Sequence, residues 1–157
     1  MAQASSYPLK TTPVNADELL GLDSAASSAL KRFKLATDVA WTPVLTSSGT
    51  PPTLTYTDRV GISSRIGSLV YLHCYMLVNI TVVGTGDLKI SGIPYGSSRY
   101  CALNLGLSSA FNAIAPYAPW VNGWTIDFWQ MGGTAYVQTS ALRLGAGYLC
   151  VSGFYYV

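Results

Sequence analysis

The stretch Ile66-Gly67-Ser68-Leu69-Val70-Tyr71-Leu72-His73-Cys74-Tyr75-Met76-Leu77-Val78-Asn79-Ile80-Thr81-Val82-Val83 decides the fold. Every even position from Val70 to Val82 is apolar, whereas the odd positions from Leu69 to Thr81 mix apolar with polar side chains. A repeat of two places one face in a core and the other in a different environment, which describes a strand and not a helix. The abundance of Val, Ile, Tyr and Thr suits a pleated, half-buried surface. A membrane helix needs about 20 continuous apolar residues, and His73 and Asn79 interrupt this run. At about 3.3 Å per residue the run would extend roughly 50 Å, so a bend or bulge is predicted partway. It reads as the central strand of an all-β domain.

A chain of 157 residues is long enough for one domain that buries roughly 70% of its unfolded surface. Only 10% of its residues are charged and 50% are hydrophobic, against about 25% charged in ordinary soluble domains. Half of the sixteen charged side chains fall in the first 38 residues, which leaves eight for the other 119. So little charge cannot cover a monomer's surface, and an obligate oligomer is expected, since permanent interfaces are more hydrophobic than free surface. The net charge of +2 and the lack of a long basic run point away from nucleic acid. Cys74, Cys101 and Cys150 form no CxxC pair, and no secretion signal opens the sequence. Free thiols made in a reducing cytoplasm are expected, not a disulfide framework.

Residues 1–15, with two prolines and many small polar side chains, read as an extended arm laid across a neighbour. Residues 16–38 admit two readings. Leu19, Leu22, Ala26, Ala29, Leu30 and Phe33 fit one helical face, with Asp17 and Glu18 early and Lys31, Arg32 and Lys34 late. Alternatively, Glu18 to Asp23 and Ala29 to Leu35 form a hairpin around Ser24–Ser28; Gly21 and the Ser-rich centre favour this second reading. Beyond Trp41 the predicted strands are Trp41–Leu45, Thr53–Thr57, Leu88–Ser91, Arg99–Leu107, Trp124–Met131, Thr134–Arg143 and Gly147–Val157. Turns fall at Ser47–Pro52 and Gly84–Asp87. Many short strands with Gly-rich turns predict a β-sandwich or barrel. The last strand has no polar tail, so the chain is expected to finish inside its own structure.

Trp41-Thr42-Pro43-Val44-Leu45-Thr46, Gly61 with Arg65-Ile66-Gly67-Ser68-Leu69-Val70, and Gly86-Asp87-Leu88-Lys89-Ile90-Ser91-Gly92-Ile93-Pro94 together resemble a module of tailed-bacteriophage structural proteins. That module occurs at tail-fibre tips and in capsid decoration (cement) proteins. Ser152-Gly153-Phe154-Tyr155 is similar to its last strand. Thr11-Thr12-Pro13, Ala16-Asp17-Glu18-Leu19-Leu20, Asp23-Ser24 and Lys31-Arg32 resemble a segment common upstream of it. The resemblance covers residues 11–94 and the C-terminus but not 95–146. At Ile62-Ser63-Ser64 the chain departs from it, where the module more often carries an aromatic residue. It implies a homotrimeric, jelly-roll-like antiparallel β-sandwich that belongs to a virion. Residues 1–40 would then form an extended arm and hairpin for attachment or trimer contacts, and residues 41–157 the sandwich.

The search for chemistry yields no catalytic or metal-binding constellation and implies no cofactor. His73, the only histidine, has no nucleophile or orienting carboxylate at a recognisable spacing. Asp58, Asp87 and Asp127 are isolated, and the first two sit in turn contexts. Tyr117, Trp120, Trp124, Phe128 and Trp129 crowd together with Pro116, Pro119 and Gly123. Such rings either pack an interface or stack on a sugar, so Tyr117, Trp120, Trp124 and Trp129 are candidate ligand or interface residues. Alternation puts Trp124, Ile126 and Phe128 on one face and Thr125, Asp127 and Trp129 on the other.

Three functions compete. The first is a non-enzymatic decoration protein, a homotrimer bound to the major capsid protein through Lys31, Arg32 and Lys34, made in the host cytoplasm and located in the virion. The second is a tail-fibre tip, held by tail proteins and recognising a host surface glycan. The third is a non-viral β-sandwich lectin or carbohydrate enzyme. A complete fibre needs an attachment domain and shaft, and only about 40 residues precede Trp41, so length favours decoration. Neither nucleic acid nor membrane is an expected partner.

Overall fold

The structure, a computed structural model, describes residues 18–23, 29–34, 37–112, 117–132 and 135–157, with residues 18–37 described by backbone alone. The arm expected over residues 1–15 lies outside the described residues. The chain divides into two units, Met1–Thr37 and Asp38–Val157. In the first, β1 (Glu18–Asp23) pairs antiparallel with β2 (Ala29–Lys34), from Glu18↔Lys34 to Asp23↔Ala29. The hairpin, not the helix, is what this segment adopts.

The chain continues, all but Thr37 within the second unit, with β3 (Thr37–Trp41), β4 (Val44–Ser47), β5 (Thr53–Ile66), β6 (Leu69–Val82), β7 (Leu88–Ser91), β8 (Ser97–Ala102), β9 (Asn104–Ser108), β10 (Tyr117–Gly123), β11 (Thr125–Gln130) and β12 (Gly145–Tyr156). One five-stranded sheet has the order β3-β5-β6-β12-β9 and the other β4-β7-β11-β10-β8, so the domain is an antiparallel β-sandwich. β6 occupies the middle of the first sheet. Its even residues from Val70 to Ile80 are all buried, while the odd ones are half-buried as far as Leu77 and exposed at Asn79 and Thr81. Val82 leaves the pattern and stands exposed where the strand ends.

The core forms where these even residues meet Leu149, Val151 and Tyr155 of β12 and, from the second sheet, Leu88, Ile90, Val121, Ile126 and Phe128. Each such side chain contributes about 1.5–3 kcal/mol relative to its exposed state. Polar ties reinforce the packing, among them Ser97, which donates its hydroxyl from β8 to the Tyr156 carbonyl of β12 at 2.8 Å. Leu45 N–H donates to the Tyr56 hydroxyl at 2.7 Å, and Tyr155 donates its hydroxyl to the Tyr95 carbonyl at 2.6 Å. Trp41, also in the core, lies against Gly61; a Cβ there would fall 2.5 Å from the indole ring.

Several predicted elements are redrawn. Trp41–Leu45 is not one strand: Thr42 and Pro43 interrupt it, and the chain passes from β3 in one sheet to β4 in the other. Thr53–Thr57 is only the start of β5, and the β5–β6 register is irregular at two places: between Thr53 and Leu54, where Thr81 of the central strand is the extra residue, and between Tyr56 and Asp58, where the extra residue lies on β5. Arg99–Leu107 splits at the buried Leu103 into β8 and β9, which belong to different sheets. Of the predicted strand Thr134–Arg143, the described residues 135–143 form none, holding isolated bridges at Tyr136, Gln138 and Leu142 and a 3-10 turn at Thr139–Ala141. β10 was not anticipated because Pro119 argues against an interior strand. The carbonyl of Pro119 accepts from Leu103 N–H at 2.8 Å, where β8 ends, so the proline sits where its neighbour strand leaves the sheet.

The two turn clusters bind each other. Ser48 N–H donates to the Asp87 carbonyl and Thr85 N–H to the Thr50 carbonyl, both at 2.9 Å. Gly86 carries φ +88°, a conformation other residues rarely adopt, and meets the Gly49 backbone there.

The two faces of β6 define a direct comparison. Met76→Asp puts a carboxylate into the fully buried row and is expected to give insoluble protein, with a cost of several kcal/mol. Asn79→Asp, on the exposed end of the opposite row, is expected to express and melt like the parent. Equal soluble yields from the two variants, measured side by side, would mean the faces are assigned the wrong way round.

Candidate functional site

The crowded aromatic residues separate on folding. Tyr117 turns towards the core and packs on Phe111, with ring centroids 4.7 Å apart. Trp120 of β10 and Trp129 of β11 point outward on neighbouring strands and stack at 5.4 Å. Tyr100 of β8 stacks on the Trp120 ring at 5.2 Å, and Tyr136 meets both indoles edge-on at 5.8 and 5.2 Å. The result is a ladder Tyr100–Trp120–Trp129 across the outer face of the second sheet. The Trp120 indole nitrogen is shut off from solvent without an acceptor among the described residues, so the ladder is held by ring contact. Trp124 does not join Ile126 and Phe128 as the alternation predicts. It occupies the turn before β11, 67% exposed, with its ring over Gly96.

Beside the ladder lies a buried carboxylate. Asp127 faces outward from β11 yet is shielded from water, and it accepts three hydrogen bonds. Lys89 Nζ bonds Oδ2 at 2.9 Å, Asn122 Nδ2 bonds Oδ2 at 2.8 Å, and Thr125 Oγ1 bonds Oδ1 at 2.8 Å. Lys89 is also 5.9 Å from the Tyr136 ring centre, within cation–π range. At the other end of the ladder a cavity of about 370 Å³ is lined by Ser97, Ser98, Arg99, Tyr100, Asn122 and Gly123. An exposed ring, a guanidinium and an amide thus border one polar hollow, a combination able to hold a polar ligand with an apolar face.

The outer face of the first sheet is different in kind. Its cross-strand rows are Asp58–Leu77–Tyr148, Val60–Tyr75–Cys150, Ile62–His73–Ser152, Ser64–Tyr71–Phe154 and Ile66–Leu69–Tyr156. Tyr71 packs on Phe154 at 5.1 Å and Tyr75 on Tyr148 at 6.3 Å. Loss of hydration, reinforced by Tyr148, Asp58 and Cys150, holds the Tyr75 hydroxyl above its usual value, and burial does the same for the Cys150 thiol. His73 sits in the middle row opposite Ile62 and Ser152. Deeper in, burial pushes the Cys74 thiol and, with Tyr95 and Cys101 adding to it, the Tyr155 hydroxyl up to about 12.

Of the residues singled out from the sequence, Trp120 and Trp129 come together, while Tyr117 and Trp124 go elsewhere. Lys31, Arg32 and Lys34 lie on β2, and their side chains are outside the described residues. Sequence reasoning missed Tyr100 and Tyr136, which are 20 and 16 positions from Trp120 and reach it only through sheet pairing. It also missed the partners of Asp127. The i−2 spacing of Thr125 was a usable signal, since it puts that hydroxyl on the same strand face. Among the described residues no three of His, Cys, Asp and Glu group closely enough to hold a metal ion, and no helix is long and apolar enough to cross a membrane.

Two measurements probe this chemistry. Lys89→Met leaves Asp127 buried with two neutral donors and is expected to destabilise the domain by about 2–3 kcal/mol, less than a fully buried pair because Lys89 is partly solvated. Adding Asp127→Asn should recover part of that loss in a double-mutant cycle. For Cys74 and Tyr155, the unfolded chain gives up its protons near pH 9 and 10, while the folded state keeps them to about 12. Stability is therefore full below pH 9 and falls as pH rises towards 12, which melting at pH 8 and 10.5 will register; Tyr155→Phe should shallow the decline. No family model, curated protein or solved structure matches this chain.

Proposed function

We propose that the chain is a non-enzymatic structural subunit of a phage virion, a homotrimer that binds and reinforces a capsid lattice. The observation that carries the reading is a charge-poor surface. Among the described residues thirteen large hydrophobic side chains are exposed, Tyr100, Trp124, Phe154 and Tyr156 each by more than 60%. Only 10% of the whole sequence is charged. Such a surface suits permanent burial against other subunits. The subunit number and the virion setting come from the resemblance of residues 11–94 and the C-terminus to the phage module. In this reading residues 1–36, with Lys31, Arg32 and Lys34, dock the trimer on the major capsid protein.

A second reading, a tail-fibre tip that binds a host glycan, is favoured by one feature. Tyr100 lines the polar hollow with Arg99 and Asn122, and Trp124 stands exposed beside Gly123. Under the decoration reading, sedimentation of the full chain at micromolar concentration gives a trimer that binds undecorated capsids. Deleting residues 1–36, which stops short of β3, leaves the trimer and its melting transition intact but abolishes capsid binding. A folded monomer would sink both readings, whereas a trimer that ignores capsids but binds host cells would favour the fibre tip.

A further inference from the structure

We infer that the hollow where β8 bulges away from β10 binds one sugar residue that carries a carboxylate, held by the Arg99 guanidinium, the Tyr100 ring and the Asn122 side-chain oxygen. The inference rests on the second reading above only in taking the ligand to be a saccharide, and not on its virion setting.

The hollow exists because the two strands fall out of step. Cys101 pairs with Val121 and Ser97 with Gly123, so Ser98, Arg99 and Tyr100 stand opposite Asn122 alone. A bulge of this kind bends its strand and re-aims side chains, and here it gathers Arg99 and Tyr100 beside Asn122. Ser97, buried at the foot of the bulge, accepts from Arg99 N–H at 3.1 Å through its hydroxyl and pins the excursion in place. The enclosed space of about 370 Å³ lies at the small end of ligand sites, roughly 300–1,000 Å³. It admits a single ring with its substituents, not a folded partner.

Three groups set the character of the ligand. Tyr100 lays one face of its ring on Trp120, with 26° between the planes, and is 69% exposed, so its other face is open. Trp120 and Trp129 cover each other, and Tyr136 meets both edge-on. The free ring face is therefore at the end of the ladder, where the apolar C–H side of a sugar can lie against it. Asn122 donates its amide nitrogen to Asp127 Oδ2 at 2.8 Å. A carboxylate only accepts, so this bond orients the amide and turns its oxygen away from Asp127, with no donor among the described residues. A sugar hydroxyl supplies one. The Arg99 side chain is exposed, and its guanidinium has no acceptor among the described residues. Its planar fork matches a carboxylate. One cation balances one carboxylate, whereas a phosphate monoester brings about −1.5 to −2 charges. Asp127 is matched by Lys89 at 2.9 Å, so its charge does not repel a second carboxylate in front of Asn122.

The test is saturation-transfer NMR on the full chain with the methyl glycosides of glucuronic acid, N-acetylneuraminic acid and glucose. The first two carry the carboxylate on different rings, and whichever binds identifies the sugar class; the third lacks the carboxylate. The parent is expected to bind at least one acidic probe roughly tenfold more tightly than the glucoside, as a charge-assisted hydrogen bond provides. Arg99→Gln should erase that preference, and Tyr100→Ala should abolish binding of every probe. Both variants should keep the parent's circular dichroism, because the two side chains are exposed. Acidic and neutral probes bound alike by the parent, or a preference that survives Arg99→Gln, overturns the acidic sugar. Binding that survives folded Tyr100→Ala places the site elsewhere, and no binding of any probe overturns the proposal outright. Host-cell binding is scored separately. Cells bound equally by the parent and both variants remove this site and leave the fibre-tip reading standing, whereas acidic-sugar binding without cell binding does the reverse.

Discussion

The alternating burial of β6 between β5 and β12 is the constraint on which the rest depends. Twelve consecutive residue pairs join β6 to β12, and thirteen positions of β5 pair on its other side. A slip of one residue would carry Met76 and Val78 out of the core and bring Tyr75 and Asn79 in. The register is therefore held by the whole burial difference between two rows and not by any one hydrogen bond. The second sheet is held less by length than by closure: β7 and β11 share three pairs, and Leu88, Ile90, Ile126 and Phe128 cover the β6 row from above.

The two outer faces solve the same problem differently. On the second sheet, polar and aromatic groups satisfy one another within the subunit: Asp127 has its three donors, and each indole of the ladder has ring neighbours. On the first sheet the aromatic pairs Tyr71–Phe154 and Tyr75–Tyr148 cover only part of their own surface. A face whose buried charge is paired within the subunit, with Tyr100 left exposed at the end of its ladder, lends itself to fixed shape and selective contact. A face left apolar lends itself to contact with something equally apolar.

Much of this architecture was legible in the sequence where a period or a turn signal decided it. The even row from Val70 to Ile80 and the Gly84–Asp87 reversal announce themselves locally, whereas the pairing of Glu18–Asp23 with Ala29–Lys34 competed with a helical face and was favoured only by Gly21 and the Ser-rich centre. What stayed hidden were the changes of sheet. Arg99 to Leu107 reads as one strand because periodicity is blind to which sheet a residue joins, and Leu103 looks like any other apolar position. Pro119 concealed β10 because the rule against interior proline presumes a neighbouring strand on both sides, and β8 has departed by then. The ladder was half legible: Trp120 and Trp129 are close in sequence, but Tyr100 and Tyr136 are brought in by strands whose order no local pattern encodes.

The place of β12 in the chain bears on how the protein is made. The central strand acquires its second neighbour from residues 145–156, more than 60 positions after β6 ends, so one long edge stays open until that segment has been synthesised. The waiting edge carries Tyr71, Tyr75 and Leu77 on one side and the unsealed core row on the other, a template for pairing with the wrong chain. Closing such distant pairs is slow for entropic reasons. On a ribosome, the β12 side of the central strand stays unpaired while β7 to β11 emerge, and that interval is when pairing with a wrong strand can compete with the native one.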